Sequence, residues 1–361
     1  MSVLFDNLIV MGNEGDRRIG KRVAEWRGRR GLSQAQLAGF VEGLTQPKLS
    51  QVEKGNRRLT TVELAEISNA LGVDPLDLLD DEPMSEGILV AARAGAGAST
   101  AEAVDVAVDT LRVLKMLHED GFSAGLGVRP TIPDVPKGRG PNAASFVREF
   151  ASLGTGPIDD LVAVCAVFGL AVSYRPFAAD FDGVCAAQRG QAVAVINTAG
   201  RRNGRQRFTL AHELGHWLFG DVDDDAMIDE DIFDVHSTRE RLANDFAANL
   251  LLPALVAQRI DSVATATRVA YEFQISLSAV SWRVENASRD SNLAAKIRAV
   301  SPLQAAQDAG CELGYRDDAD ALDSAGVTVG FEVAARAALE AGALSERRLE
   351  SVLPGLTESK F

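Results

Sequence analysis

The five residues HELGH, His212 to His216, constrain this chain more than any other stretch. The chain has four histidines in 361 residues. Random placement at that composition gives H-E-x-x-H in roughly three chains per thousand. On a helix the i, i+4 spacing puts both imidazoles on one face, pointing the same way at the separation one metal ion requires. The periodicity predicts a helix over Arg205–Phe219, with Phe208, Ala211, Gly215 and Leu218 as its apolar stripe and the histidines on another face. Leu210-Ala211 before the motif and Trp217-Leu218 after it are uncharged, as in a buried helix.

Glu213 is rotated away from the metal-facing direction, where it can take a proton from a water activated at the metal. A tetrahedral catalytic site needs a third protein ligand and one open position. The metzincin continuation requires glycine and histidine where this chain has Phe219 and Val222, so that class is excluded. The better candidate is Glu240, 24 residues after His216, on the first turn of a helix in STRERLANDFAANLLLP. Ser237 or Thr238 would cap that helix, and Leu242, Ala243, Phe246 and Leu250 form its core stripe. Asn244, four residues further on, shares Glu240's face and can brace a ligand. Asp221, Asp223, Asp224 and Asp225 are alternative ligands in an acidic loop whose plainer role is to be solvated. A weak Ca2+ site there would lack the glycine and glutamate of an EF-hand. His236 and Tyr174 are candidates to stabilise a tetrahedral intermediate, and the residues do not decide between them.

Two helices, Phe146 to Leu153 and Ile158 to Phe168, precede short β-rich runs, LAVSY, DGVCAAQ and QAVAVIN. DGVCAAQ, AVIN, RFTLAHELGH and ERLANDFAANLLLP, in that order, resemble the ImmA/IrrE metallopeptidases, relatives of the gluzincins, over about Pro141 to Asn286. The resemblance implies Zn2+ as cofactor, His212, His216 and Glu240 as ligands, and Glu213 as general base. It also implies a substrate class, since members cleave or inactivate XRE-type repressors, often of mobile elements or stress regulons.

The net charge of −14 argues against nucleic acid until its distribution is read. Arg17 to Arg58 holds eleven Lys/Arg against Glu25, Glu42 and Glu53, a local excess of about +8, whereas Asp221 to Asp234 holds eight acids and no base. The basic stretch reads as five short helices. Ile19, Val23 and Trp26 form the first stripe, ending at Gly31. Ser33 caps a helix carrying Leu37 and Ala38, and Thr45 caps one from Gln46 to Lys54 that stops at Gly55. Thr60 or Thr61 opens the fourth, with Leu64, Ile67, Leu71 and Val73 buried, and Asp74-Pro75 the fifth. Two short helices joined by a tight turn on a basic surface can set the second in a DNA major groove. GLSQAQLA and LSQVEKG resemble the XRE (Cro/cI-type) helix-turn-helix family, although the turn FVEGLTQ is one residue longer than usual. The resemblance implies Gln46, Lys48 and Gln51 facing the base edges of double-stranded operator DNA, and Arg57 and Arg58 on phosphates.

The expected fold class is mainly α with a small β-sheet (α+β), in four parts. These are 15–80, an XRE-type DNA-binding domain; 81–143, a linker with a connector helix; 144–290, the zinc metallopeptidase domain; and 291–361, a C-terminal helical region. The connector, AEAVDVAVDTLRVLKMLHE, carries Val104, Val108, Leu111, Leu114 and Leu117 on one face, suited to the seam of a homodimer. Val269, Phe273, Ile275, Val280 and Trp282 have helix-turn-helix-like spacing without a basic cluster, so they are expected to pack on the peptidase. Met1–Gly20 has no apolar h-region and no apolar run approaches 18 residues, so a cytoplasmic protein without membrane contact is expected. Cys165, Cys185 and Cys311 are accordingly expected to be buried thiols.

Three functions fit. The first is a DNA-binding zinc endopeptidase that relieves repression by cutting an XRE-type repressor in trans or itself in cis. The second is a non-proteolytic regulator whose peptidase-like domain senses a ligand or partner. The third is an interaction module with a structural metal. Glu213 favours the first, because a structural zinc site needs no general base and closes with four ligands.

Overall fold

The computed structural model describes residues 2–71, 73, 75–79, 89–92, 101–122, 125–127, 129, 140–178, 181–188, 190–221, 238–315 and 326–354. By internal contacts the chain divides into Met1–Glu86 and Gly87–Phe361.

The described helices of the first unit are α1 (Ser2–Arg29), α2 (Gln34–Gly39), α3 (Gln46–Glu53), α4 (Thr61–Leu71) and α5 (Pro75–Leu79). Val23, Trp26, Leu37, Leu49, Ile67 and Leu78 close its core. The Ser33 hydroxyl accepts from Gln36 N–H, and the Gln36 side chain accepts from Ser33 N–H, a capping box that starts α2. Thr60 and Glu63 repeat it at α4. Thr45 occupies the N-cap position of α3 as expected but makes no side-chain cap bond; Pro47 presets the first turn instead.

The second unit is built on one sheet in the order β1-β3-β4-β2-β5. Its strands are β1 (Leu89–Ala92), β2 (Leu170–Arg175), β3 (Gly183–Gln188), β4 (Gln191–Asn197) and β5 (Gly326–Val327). β2 and β4 run parallel and the other pairs antiparallel. Side chains alternate between two cores, as period 2 requires. Leu170, Val172, Cys185, Ala194 and Ile196 enter one, while Ala171, Val184, Ala186, Val193 and Val195 enter the other. With both faces covered, β4 is apolar almost end to end.

The first core is covered by α7 (Gly140–Phe150), α8 (Leu161–Val167), α9 (Asn203–Phe219) and α10 (Thr238–Leu251). Beyond these lie α11 (Ala254–Ala257), α12 (Val263–Glu272), α13 (Leu277–Ala287), α14 (Ser291–Ala299) and α15 (Pro302–Ala309). Val269, Phe273, Ile275 and Val280 are buried there, but Trp282, expected beside them, is 38% exposed. The second core is covered by α6 (Ala101–Glu119), α16 (Val329–Glu340) and α17 (Glu346–Val352).

That arrangement corrects one expectation. The supposed connector is α6, and Ala103, Ala107, Leu111, Leu114 and Leu117 are buried against the sheet and α16. Its stripe is a core layer of the second unit and not a free seam. In the region 291–361, α14 and α15 pack with α13 and α12 while α16 and α17 pack on α6. An amphipathic stripe states that a face is buried, not against what. Cys165 and Cys185 are buried, and burial pushes both thiols up. Cys311 is part-exposed, against expectation. No helix among the described residues is long and apolar enough to cross a membrane.

Candidate metal centre

α9 is buried nearly all round, from Gly204 through Leu218, as a helix wedged between a sheet and other helices must be. Leu210, Leu214 and Trp217 enter the first core, and the Trp217 indole N–H donates to Phe168 O at 2.8 Å. The opposite surface of α9 meets α10. A Cβ on Gly215 would fall 3.0 Å from Phe246 Cδ1 and 3.3 Å from Ala243 Cα. The absent side chain therefore lets the two helices approach closely.

That approach brings Glu240, on the first turn of α10, to the imidazoles. Glu240 Oε1 lies 3.0 Å from His216 Nε2, Oε2 lies 3.3 Å from His212 Nε2, and the two Nε2 atoms are 3.0 Å apart. Ligand atoms about 2 Å from a tetrahedral ion stand about 3.3 Å from one another. A carboxylate and two imidazole Nε2 atoms this close need a cation between them, either a proton on a ring or a metal ion. The donor set, two imidazoles and one carboxylate, suits Zn2+. Glu240 is held well below the usual carboxylate range, because the histidines outweigh the cost of its burial. Burial also opposes charge on His216, but hydrogen bonds to Asp221 and Glu240 outweigh it and carry the imidazole up to about 10.

The outer ring nitrogens are both bonded. His212 Nδ1–H donates to Asn244 Oδ1 at 3.1 Å, and His216 Nδ1–H to Asp221 Oδ2 at 2.8 Å. Asp221 is therefore not among the converging ligand atoms, which come from His212, His216 and Glu240. Asp223, Asp224, Asp225 and His236, like the caps proposed at Ser237 and Asp74, lie outside the described residues. Tyr174, on β2, pairs with Ile196 of β4, whose partner on the other side is Gly183 of β3. Burial raises its phenol pKa, and the charges acting on it are those of Cys165, Arg207 and Asp160.

Glu213 is 1% exposed and stands against the start of β3, where a Cβ on Gly183 would fall 3.1 Å from its Oε1 and 2.6 Å from Thr209 Cγ2. Neighbouring contacts fix that strand end. Asp182 accepts from Arg201 Nε at 2.9 Å and from Arg205 at 2.9 and 2.8 Å. The Asn197 amide accepts from Phe177 N–H and Ala199 N–H and donates to Phe181 O, each at 3.0 Å. At the far end of α10, Arg148 donates to Leu250 O at 2.7 Å and to Gly154 O and Gly156 O, and Arg283 Nε to Leu252 O at 2.9 Å. These cations satisfy carbonyls at a helix C-terminus and suit its dipole. Gly183 and the spacer role of Gly215 were not read from the sequence; an isolated glycine opening a strand was the available signal.

In the first unit, Gln46 Nε2 donates to Gln34 Oε1 at 2.9 Å, and Gln34 donates in turn to Glu53. Lys48 Nζ donates to Gly43 O at 2.8 Å, and Gln51 is exposed. Arg57 is tied to the part-buried Glu63 by bonds of 2.6 and 3.2 Å, so it braces α4. Arg58 is largely exposed, with Asp16 at 2.8 Å.

Comparison with known proteins agrees with both halves. Residues 165–285 match the peptidase family described as IrrE N-terminal-like domain, and residues 18–81 match the family described as helix-turn-helix domain. The first match begins later than Pro141, leaving α7 outside it. No curated protein and no solved structure gives a significant match to the chain. One chain thus carries a segment similar to helix-turn-helix domains and a segment similar to the IrrE-like peptidase domain.

Proposed function

We propose that this chain is a zinc-dependent endopeptidase, brought to operator DNA by its helix-turn-helix unit, that relieves repression by cleaving an XRE-type repressor in trans or itself in cis. One observation carries the reading. Three ligand atoms converge at 3.0–3.3 Å while Glu213, one residue from a ligand, stays outside the set. A bound Zn2+ would polarise a carbonyl and lower the pKa of a water toward ~7. Glu213 would serve as the base for that water's proton and as its donor to the leaving amine, and its packing against Gly183 limits the directions it can adopt. Asn244 and Asp221 hold the ligand rings by their outer nitrogens. DNA binding rests on the basic first unit, with the exposed Gln51 and Arg58 as candidate contacts beside Gln46 and Lys48.

The test is Glu213→Gln in the full chain, incubated with a neighbouring XRE-type repressor. The variant should keep near-stoichiometric zinc and lose cleavage. Cleavage that survives the change removes Glu213 as general base; wild-type chain that holds no zinc removes the metal reading altogether. Burial favours a second reading, since His212, Glu213 and His216 are all at most 4% exposed. In that reading the domain senses a ligand or partner without proteolysis, and repression responds identically in wild type and Glu213→Gln.

A further inference from the structure

We infer that Asp221 is a positioning residue of the metal centre, orienting His216 through its outer ring nitrogen. The inference rests on the metal reading above and adds a residue to it. Gly220 ends α9 in the left-handed conformation, φ 73°, so the next residue folds back over the last turn. Asp221 N–H donates to His216 O at 3.0 Å while its Oδ2 accepts His216 Nδ1–H at 2.8 Å. Backbone and side chain of one residue thus hold backbone and side chain of the other.

With Nδ1 donating, the lone pair of His216 lies on Nε2, the atom that faces Glu240 and His212. The two imidazoles are then unequal ligands. His212 is backed by a neutral amide, whereas His216 is backed by a carboxylate, which makes its ring the stronger donor. Asp221 Oδ1 also lies 3.7 Å from Arg239 Nε, and Arg239 directly precedes Glu240. The same carboxylate therefore touches the last turn of α9 and the first turn of α10, the two places from which ligands project.

The experiment strips the full-length chain of metal and titrates zinc against a chromophoric chelator. The variants are Asp221→Asn, Asp221→Ala and Arg239→Ala, each checked for folding by circular dichroism. Asp221→Asn keeps the size of the side chain and a hydrogen-bond acceptor. It should weaken zinc binding roughly ten-fold and Asp221→Ala up to about 100-fold, the range for lost outer partners of ligands. Arg239→Ala should change affinity less than about three-fold, since it leaves the His216 bond in place. Cobalt(II) in place of zinc should show shifted visible bands in Asp221→Asn, a change that a purely structural carboxylate would not cause. Wild-type affinity in both Asp221 variants overturns the inference, as does an Arg239→Ala loss equal to that of Asp221→Ala. A wild-type chain that binds no zinc removes the metal reading, and this role with it.

Discussion

Adding one methyl group at Gly183 should separate stability from chemistry in a way no ligand substitution can. In Gly183→Ala the new Cβ would stand 2.6 Å from Thr209 Cγ2, 3.1 Å from Glu213 Oε1 and 3.3 Å from Ile196 Cδ1. Carbon atoms settle near 3.5–4.0 Å, so the Thr209 contact is short by about 1 Å. Thr209 is 1% exposed and β-branched on a helix, with few rotamers to swing into. Overpacking of this kind costs about 1–3 kcal/mol. Replacing a glycine returns about 0.4–1 kcal/mol through the unfolded chain, which leaves a net loss of about 1–2 kcal/mol. Thr209→Ser removes the offending methyl and by itself should cost about 1 kcal/mol. If the clash is real the two changes cannot add, and the double variant should be about as stable as Thr209→Ser alone. Glu213 would still be crowded, so cleavage should stay impaired in the double variant while zinc content remains at the wild-type level. Urea denaturation of the four proteins measures the cycle. Additivity within about 0.5 kcal/mol, or a Gly183→Ala chain as stable as wild type, would refute the close approach.

The other predictions concern different parts of the chain. Arg58→Ala should weaken DNA binding evenly across sequences and lower the salt slope by about 1, read by fluorescence anisotropy at several salt concentrations. Arg57→Ala should act mainly on the stability of the first unit. The Arg57 guanidinium holds the Glu63 carboxyl below its ordinary 4.5, so that stability is present above pH 4.5 and is lost as pH falls through the folded value. Acid titration of Arg57→Ala should therefore be flatter than that of wild type. Arg148→Met takes a charged donor from three carbonyls; relief of guanidinium burial offsets part of this, for a net loss of about 2–4 kcal/mol in urea. Chelation should lower the melting temperature of the second unit, with about 2.7 kcal/mol restored by free zinc at 100 times its Kd.

The sequence displayed the parts of the site that local periodicity can express. HELGH on a helix, Glu240 on a first turn and Asn244 one turn later all follow from 3.6-residue geometry, and the structure places them together. What periodicity could not show was pairing between distant segments. α6 carried a visible stripe, but the sheet it covers is assembled from strands before and after it in the chain. Asp221 looked like one acid among eight because its role depends on the backward turn at Gly220. Tyr174 had suitable chemistry for the site, but the strand register that sets it in one row with Ile196 and Gly183 has no signal in local periodicity.

Gly215 lies between the two histidines and binds nothing, yet it works like the stop on a caliper. The gap between the jaws, imidazoles on one side and Glu240 on the other, is set by how far Ala243 and Phe246 can advance into the space it leaves. The spacing of the ligand atoms thus depends on hydrocarbon packing that carries no donor atom itself. Substitutions at Ala243 or Phe246 would then shift the ligand atoms without touching one of them.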